Sequence, residues 1–384
     1  MTQRYYRETV VEIDLDAIGH NVQAFRAWLP RETNIMAVVK ANAYGHGAPP
    51  VAREALASGA SYLAVATLDE AIELQEAGID APILVLGYVP AYGLPEAIRR
   101  CVRLTVYRPD QLQQVMAAAR ALGQTALLHL KVDTGMGRLG IQLSEVEPLL
   151  RPTINSREVT WEGIFTHFAC ADARDKTATD QQADLFSQFV AKCRALGVTF
   201  PFVHCANSAT AIDMPQYGYN MARIGVSLYG LYPSDEVEKQ HVALKPALTL
   251  KTKIVHVKRV PPGTALSYGA TYRTKTDVTI ATLPIGYADG LNRLLSNRGC
   301  ALVGGRRVPI VGRICMDQTL LAVPDGLTVA NGDEVVLYGR QGDEQICVDE
   351  VAKLLGTINY EVTCAIGHRV PRIYVGSKKA RCVD

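Results

Sequence analysis

From about residue 35 to residue 227 the chain alternates short apolar runs with longer segments in which apolar positions recur every three or four residues. The runs read IMAVVK, SYLAVA, PILVLG, VRLTVY, TALLHLKVD, VTWEGIFTHF, FVHCAN and MARIGVSLYG. Between them lie amphipathic stretches such as APPVAREALASG, LDEAIELQEAG, PDQLQQVMAAARALG and DQQADLFSQFVAKCRALG, several closed by glycine in the position of a C-cap. Continuously apolar runs predict strands covered on both faces, as in a parallel sheet. Strand–helix units at a spacing of roughly 25 residues predict a (β/α)8 barrel, with an open doubly wound sheet as the alternative that fits eight units less well.

Beyond about residue 240 the period drops to two. LTLKTKIVHVKRV, DVTIATLPIGY, RVPIVGRIC, TLLAV and EVVLYG alternate apolar with polar, and PPG, NRG, VGG, PDG and NGD punctuate them. This pattern predicts a separate, mainly-β domain. The expected organisation is a barrel over residues 14–240 and a β domain over 241–384, which residues 1–13 join through the strand TVVEIDLD. A chain of 384 residues exceeds the size at which one core stops growing, so two domains suit its length.

In a (β/α)8 barrel the reactive groups stand at the C-terminal ends of the strands. The first run ends in Lys40, and the fifth in Lys131 and Asp133 with Arg138 just beyond. The sixth ends in His167, the seventh in His204 and Asn207, and the eighth carries Arg223. Each has a plain structural explanation alone: Lys40 snorkelling to solvent, His204 a satisfied core histidine, Arg138 paired with Asp133. Together at one mouth they suggest an anionic ligand and a lysine amine brought down from its usual pKa of about 10.4 by burial and neighbouring cations. A deprotonated lysine forms a Schiff base with a carbonyl, so two chemistries are open: a sugar-phosphate aldolase, or pyridoxal 5′-phosphate held on Lys40. Asn207 and Ser208, opening a helix, and the Gly225 N–H are candidates for a phosphate. Ser208 is equally suited to be a simple N-cap. GMGRLG at 135–140 matches the G-x-G-x-x-G spacing of dinucleotide sites, but it follows the fifth unit and precedes no clear helix start, which argues against that reading.

Composition narrows the partner. Lys plus Arg number 40 and Asp plus Glu 38, a balance without the basic footprint of a nucleic-acid or anionic-membrane binder. No run approaches a membrane span and the N-terminus lacks an export signal, so a cytoplasmic protein acting on a small molecule is expected. Nine cysteines with irregular gaps and no C-x-x-C suit free thiols, and eight histidines without H-E-x-x-H make a metal site improbable.

AVVKANAYGHG, KVDTGMGRLG, CANSA, MARIGVSLYG, SYGATYRT, LPIGYADG and GRICMDQ, in this order, resemble the motifs of bacterial alanine racemases, pyridoxal phosphate enzymes of fold type III. The resemblance runs over essentially the whole chain. It implies that Lys40 holds the cofactor and acts as base on one face of the substrate α-carbon while Tyr268 acts on the other. One base alone tends to return the proton to the face it left. Tyr44, Ser208, Gly225, Val226 and Tyr360 would surround the phosphate, with Asn207 beside them, and Arg223 would face the pyridine nitrogen with His204 bracing it. His167 would pack beside the ring, and Arg138 would contact the Tyr268 phenol and the substrate carboxylate, to which Met316 would offer its N–H. Tyr287 and Asp317 would support the pocket. Lys131 would be carbamylated, as in some family members, turning a cation into an anion that orients Arg138. The implied assembly is a homodimer in which Tyr268 and Met316 complete the partner's site. The implied role is D-alanine supply for peptidoglycan.

Rival expectations are a racemase of the same fold with a broader or different substrate such as serine, a barrel-only pyridoxal phosphate carrier, and a decarboxylase of this fold class. The extra β domain argues against the carrier, and an Arg223-type pyridine contact argues against the decarboxylase.

Overall fold

The computed structural model describes residues 5–376. Cys382, and both outermost ends of the expected β domain, lie outside the described residues. The chain divides into two compact units: Ala17–Ala43 with Ala48–Pro246, and a second made of residues before Ala17, Tyr44–Gly47 and the chain from Ala247 onward.

The first unit is the expected barrel. Its strands are Asn34–Val38, Tyr62–Val65, Ile83–Val85, Arg103–Val106, Ala126–Lys131, Val159–Phe165, Phe202–His204 and Met221–Ile224. Neighbours pair in parallel, and the last returns to the first through Asn34 opposite Met221. Between the seventh and eighth strands no ladder forms, and the Arg223 N–H donating to Ala206 O at 3.1 Å bridges the seam. Tyr62–Val65, Ile83–Val85 and Met221–Ile224 are buried at every residue, because helices cover one face and the barrel interior fills the other. The helices start and stop where their sequence signals stand: Thr67 and Glu70 form a capping box ahead of Leu68–Glu76, and Gly123 ends Pro109–Leu122 at φ 62°.

Two runs behave differently from their pattern. The first strand ends at Val38, and MARIGVSLYG stops being a strand at Ile224. Gly225, at φ −103° and ψ −103°, turns the chain there into a 3₁₀ turn over Val226–Tyr229.

In the second unit one long sheet runs His256–Val260, Val278–Leu283, Thr319–Val323, Arg306–Val311, Cys300–Val303, Glu334–Gln341, Leu248–Lys253, Val10–Asp14 and Arg372–Val375. Val10–Asp14 lies antiparallel to Leu248–Lys253 and parallel to Arg372–Val375. LTLKTKIVHVKRV is two strands, not one. The unit also contains the helices Val348–Leu355 and Asn359–Cys364, which the period-two reading passed over. Cys347 caps the first of them and Gly356, at φ 72°, ends it.

Candidate active site

The residues after the first strand take an unusual path. Ala41, Asn42, Ala43 and Tyr44 have φ of 52°, 50°, 53° and 52°, a left-handed turn built without glycine directly behind Lys40. The conformation is disfavoured for L-residues by roughly 1–2 kcal/mol each, so neighbours must hold it. The Glu70 carboxylate does so by accepting the Ala41 N–H at 2.6 Å, and Asn42 Oδ1 accepts the Ala48 N–H at 2.8 Å.

Arg223 organises the barrel mouth. It is 4% exposed, and its Nη1 donates to His204 Nδ1 at 3.0 Å and His204 O at 3.1 Å. Its Nη2 donates to Thr166 O at 2.8 Å and Cys205 O at 3.3 Å, and lies 3.2 Å from His167 Nδ1. Burial lowers its pKa to about 10, which still leaves the guanidinium charged at neutral pH. Its Nε makes no hydrogen bond among the described residues.

His167 reports on the rest of the mouth. Burial first, then the positive charges of Arg223, Arg138, Lys131 and Lys40, hold its pKa well below the usual range and keep the imidazole neutral. Lys131 is 6% exposed, donates to Val132 O at 2.7 Å and lies 5.5 Å from the Phe165 ring centre. Burial and Arg223, with Arg138 adding and Asp133 opposing, bring its amine down to about 7. Half of such amines are neutral near pH 7.

Arg138 stands exposed on the loop after the fifth strand. Its suggested ion pair with Asp133 does not form among the described residues. The Asp133 carboxylate accepts the Gly135 and Gly137 N–H groups instead, and Asp133 N and Ile141 N close the loop by bonding Ile141 O and Lys131 O. The glycines of GMGRLG therefore shape a closed loop.

At the seventh and eighth strand ends, Asn207 is the N-cap: its side chain accepts the Thr210 N–H at 3.0 Å. Ser208, buried, accepts the Gly225 N–H at 3.0 Å. That contact fixes Gly225 against the helix start and leaves Val226, first residue of its turn, with an N–H that the turn itself does not use.

In the second unit Tyr44 is buried and its ring centre lies 6.0 Å from that of Tyr360. Burial first and Tyr360 second push the Tyr44 phenol up, out of its usual range. Tyr268, Tyr287 and Met316 are exposed at 70%, 42% and 52%. They belong to loops stitched together by Tyr287 N to Cys315 O at 3.0 Å, Ala288 N to Met316 O at 3.1 Å and Ser267 Oγ to Arg313 O at 2.5 Å. Arg369 donates to Asp317 at 2.7 Å. Glu70, His129 and Glu162, all engaged with this machinery, escaped the sequence reading. The available signal was a polar residue inside an apolar strand in the last two and the capping-box spacing in the first.

Residues 13–233 match the family model described as alanine racemase, N-terminal domain, and residues 247–374 match that of the alanine racemase, C-terminal domain. The chain belongs to the alanine racemase family. It is 49% identical over 380 residues to a protein named alanine racemase 2 of Oceanobacillus iheyensis, covering 99% of this chain and 96% of the relative. Among solved structures it resembles the Bacillus anthracis alanine racemase with bound L-Ala-P, at a TM-score of 0.93 and 44% identity over 98% of this chain and 97% of that one. A histidine racemase from Leuconostoc mesenteroides shares the architecture at a TM-score of 0.89 and 30% identity, covering 98% of this chain and 100% of that one. The architecture is thus shared by racemases named for different amino acids. No helix among the described residues is long and apolar enough to cross a membrane.

Proposed function

We propose that the protein interconverts L- and D-alanine with pyridoxal 5′-phosphate as cofactor, supplying D-alanine for peptidoglycan from the cytoplasm. The observation that carries the reading is Arg223, clamped at both Nη atoms and left with one unused Nε–H in a mouth where the first strand delivers Lys40. Guanidinium donates and cannot accept, so that N–H suits a ring nitrogen bearing a lone pair. The Ser208, Tyr44 and Tyr360 hydroxyls and the Val226 N–H are donors of the kind a phosphate takes, whereas the Gly225 N–H, expected to be another, is taken up by Ser208 Oγ; Asn207 holds the helix start in place. The bound cofactor supplies an electron-withdrawing ring that acidifies the α-proton of the amino acid attached to it.

This chain's own residues do the rest. Arg223 keeps the ring nitrogen unprotonated, which limits electron withdrawal and disfavours side reactions such as transamination. Lys40 holds the cofactor and moves the proton on one face of the α-carbon. Tyr268 of the partner subunit moves it on the other. Arg138 and the Met316 N–H take the substrate carboxylate, His167 packs against the ring as a neutral imidazole, and Tyr287 and Asp317 frame the pocket. The exposed Tyr268, Tyr287 and Met316 side chains suit a role completed in a homodimer.

Reduction of the cofactor-loaded protein with borohydride should bleach its visible absorbance and mark Lys40, and D/L assays over a panel including alanine, serine and histidine should favour alanine. Label elsewhere than Lys40 overturns the reading, and a preference for another amino acid overturns the substrate. Mixing inactive Lys40→Ala and Tyr268→Phe chains tests the shared site: activity should return in part after subunit exchange, and no return refutes it.

A further inference from the structure

The barrel interior carries a polar chain that runs from Arg223 to the opposite end of the barrel. His204 Nε2 lies 2.9 Å from His129 Nδ1, and His129 Nε2 lies 3.4 Å from the Tyr62 hydroxyl. Tyr62 donates to Glu162 Oε2 at 3.0 Å, and Arg103 holds the same carboxylate at 2.9 and 3.3 Å. His204 ends its strand at the mouth, whereas Tyr62 and Arg103 begin theirs at the far end. His129 and His204 are fully buried, and Arg103 and Glu162 are 18% and 19% exposed.

The strand geometry is shaped around this chain. The ladder between the fifth and sixth strands slips between Leu128 and His129, pairing Leu128 with Trp161 and His129 with Gly163, so Glu162 is the extra residue of a bulge. Bulges re-aim side chains, and this one turns Glu162 to Tyr62 and Arg103. Gly163 makes room for the imidazole: a Cβ there would stand 2.3 Å from His129 Nδ1.

The chain has a direction. Arg223 can only donate and the Glu162 carboxylate can only accept. Tyr62 therefore gives its proton to Glu162, and its oxygen, which also accepts from Arg103, can only accept on the side of His129, from an Nε2–H. That leaves a lone pair on His129 Nδ1 for the His204 Nε2–H, and a lone pair on His204 Nδ1 for Arg223. The reversed chain would set a His204 Nδ1–H against the Arg223 N–H and a Tyr62 lone pair against the carboxylate. Both histidines must be neutral for this order. Burial, with Arg103 and Arg223, lowers His129 to about 3, and burial with Arg223 and His129 lowers His204 well below its usual range.

We propose that Glu162 and Tyr62 are positioning residues which, through His129 and His204, lock the hydrogen-bond direction at Arg223 from the far end of the barrel. The proposal rests on the reading of Arg223 as the residue that faces the cofactor's ring nitrogen. With the far lock removed the order is held from the Arg223 end alone, so a fraction of His204 presents an N–H, and in that fraction Arg223 keeps only the His204 carbonyl on that side and loses its fixed aim.

Protein labelled with ¹⁵N in histidine tests this, because N–H and lone-pair nitrogens have separate shifts. Wild type should show the Nε2–H tautomer at both His129 and His204, with or without cofactor, and an Nδ1–H at either ring overturns the proposal even if no variant folds. Tyr62→Phe and Glu162→Gln should show mixed tautomers at both rings, and kcat should fall about three- to tenfold at unchanged KM, the size of one net hydrogen bond. Unchanged tautomers in a folded variant, or changed tautomers with wild-type kcat, overturn it. Failure of Lys40 labelling would refute the cofactor reading and leave the tautomer result standing.

Discussion

The Ala41 N–H donates to Glu70 Oε1 at 2.6 Å, and the other oxygen of the same carboxylate accepts the Ala66 N–H at 2.7 Å and the Thr67 N–H at 3.3 Å. One side chain thus caps a helix and ties down the left-handed turn behind Lys40. Glu70→Ala removes the cap and the turn's anchor together. A stability loss of about 1–3 kcal/mol is expected, with poorer borohydride labelling of Lys40. Glu70→Gln keeps one acceptor oxygen and should fall between. Urea unfolding midpoints of wild type and Glu70→Ala that coincide would sink the idea.

Lys131 makes stability depend on pH in a known direction. Its folded amine titrates near 7 and an unfolded one near 10.5. Between those values the unfolded chain binds a proton that the folded chain does not, so stability should rise with pH by up to about 1.4 kcal/mol per pH unit from this group. Below pH about 7 the burial cost of the charged amine is borne in full. In buffer free of carbon dioxide, Lys131→Met should show a flatter curve over that window, and equal slopes would reject the account. The same neutral fraction makes the amine a nucleophile for carbon dioxide. ¹³C-bicarbonate should give a carbamate carbon resonance that Lys131→Met lacks, and its absence from wild type would count against an anion beside Arg138.

Two glycines at positive φ should respond differently to alanine. Gly59, at φ 118°, has nothing within 4 Å of an added Cβ, so Gly59→Ala should cost only the conformational strain, about 1 kcal/mol. Gly45, at φ 86°, would place its Cβ 2.2 Å from Thr363 O in the helix Asn359–Cys364. Backbone must move there, and Gly45→Ala should cost a further ~1–3 kcal/mol. Thermal unfolding of the two variants compares them directly, and similar losses would show that the packing around Gly45 yields easily.

The strands were legible because a run apolar on both faces has few other places to go, and Lys40, Lys131, His204 and Arg223 stood out as charge or imidazole within such runs. The left-handed turn was not legible. In AVVKANAYGHG the glycines Gly45 and Gly47 do stand at positive φ, but nothing marks Ala41–Tyr44, which adopt the left-handed conformation because a carboxylate distant in sequence holds Ala41. Asn207 and Ser208 were read as phosphate donors from their place at a helix start, and the structure adds that Asn207 caps the helix and Ser208 grips Gly225. Glu162 and His129 looked like isolated polar residues in TALLHLKVD and VTWEGIFTHF, since a one-residue slip between paired strands leaves no mark in either strand alone. The helix carrying Tyr360 was hidden because short amphipathic helices in a β-rich domain resemble its loops.

Ser267, directly before Tyr268, sits at φ 61° and ψ −177°, a region essentially reserved for glycine and costing roughly 1–3 kcal/mol elsewhere. Its hydroxyl donates to Arg313 O and lies 3.5 Å from Cys315 Sγ, while Gly312 leaves the room its Cβ needs: a Cβ there would meet that of Ser267 at 2.7 Å. The hydroxyl bond and the room at Gly312 therefore hold the strained backbone directly before Tyr268, and the two substitutions of Ser267 separate strain from anchoring. Ser267→Ala keeps the strain and loses the hydroxyl, so it should lose about 1 kcal/mol of stability. Ser267→Gly relieves the strain but loses the hydroxyl and loosens the unfolded chain, so its stability should stay within about 1 kcal/mol of wild type. Activity should nevertheless fall in Ser267→Gly, because a phenol free to move spends less time in line with the α-carbon. Deuterium wash-in from solvent resolves the two faces: exchange on the face assigned to Tyr268 should slow while the Lys40 face is kept. Equal slowing on both faces would remove Ser267 from any specific part in placing Tyr268.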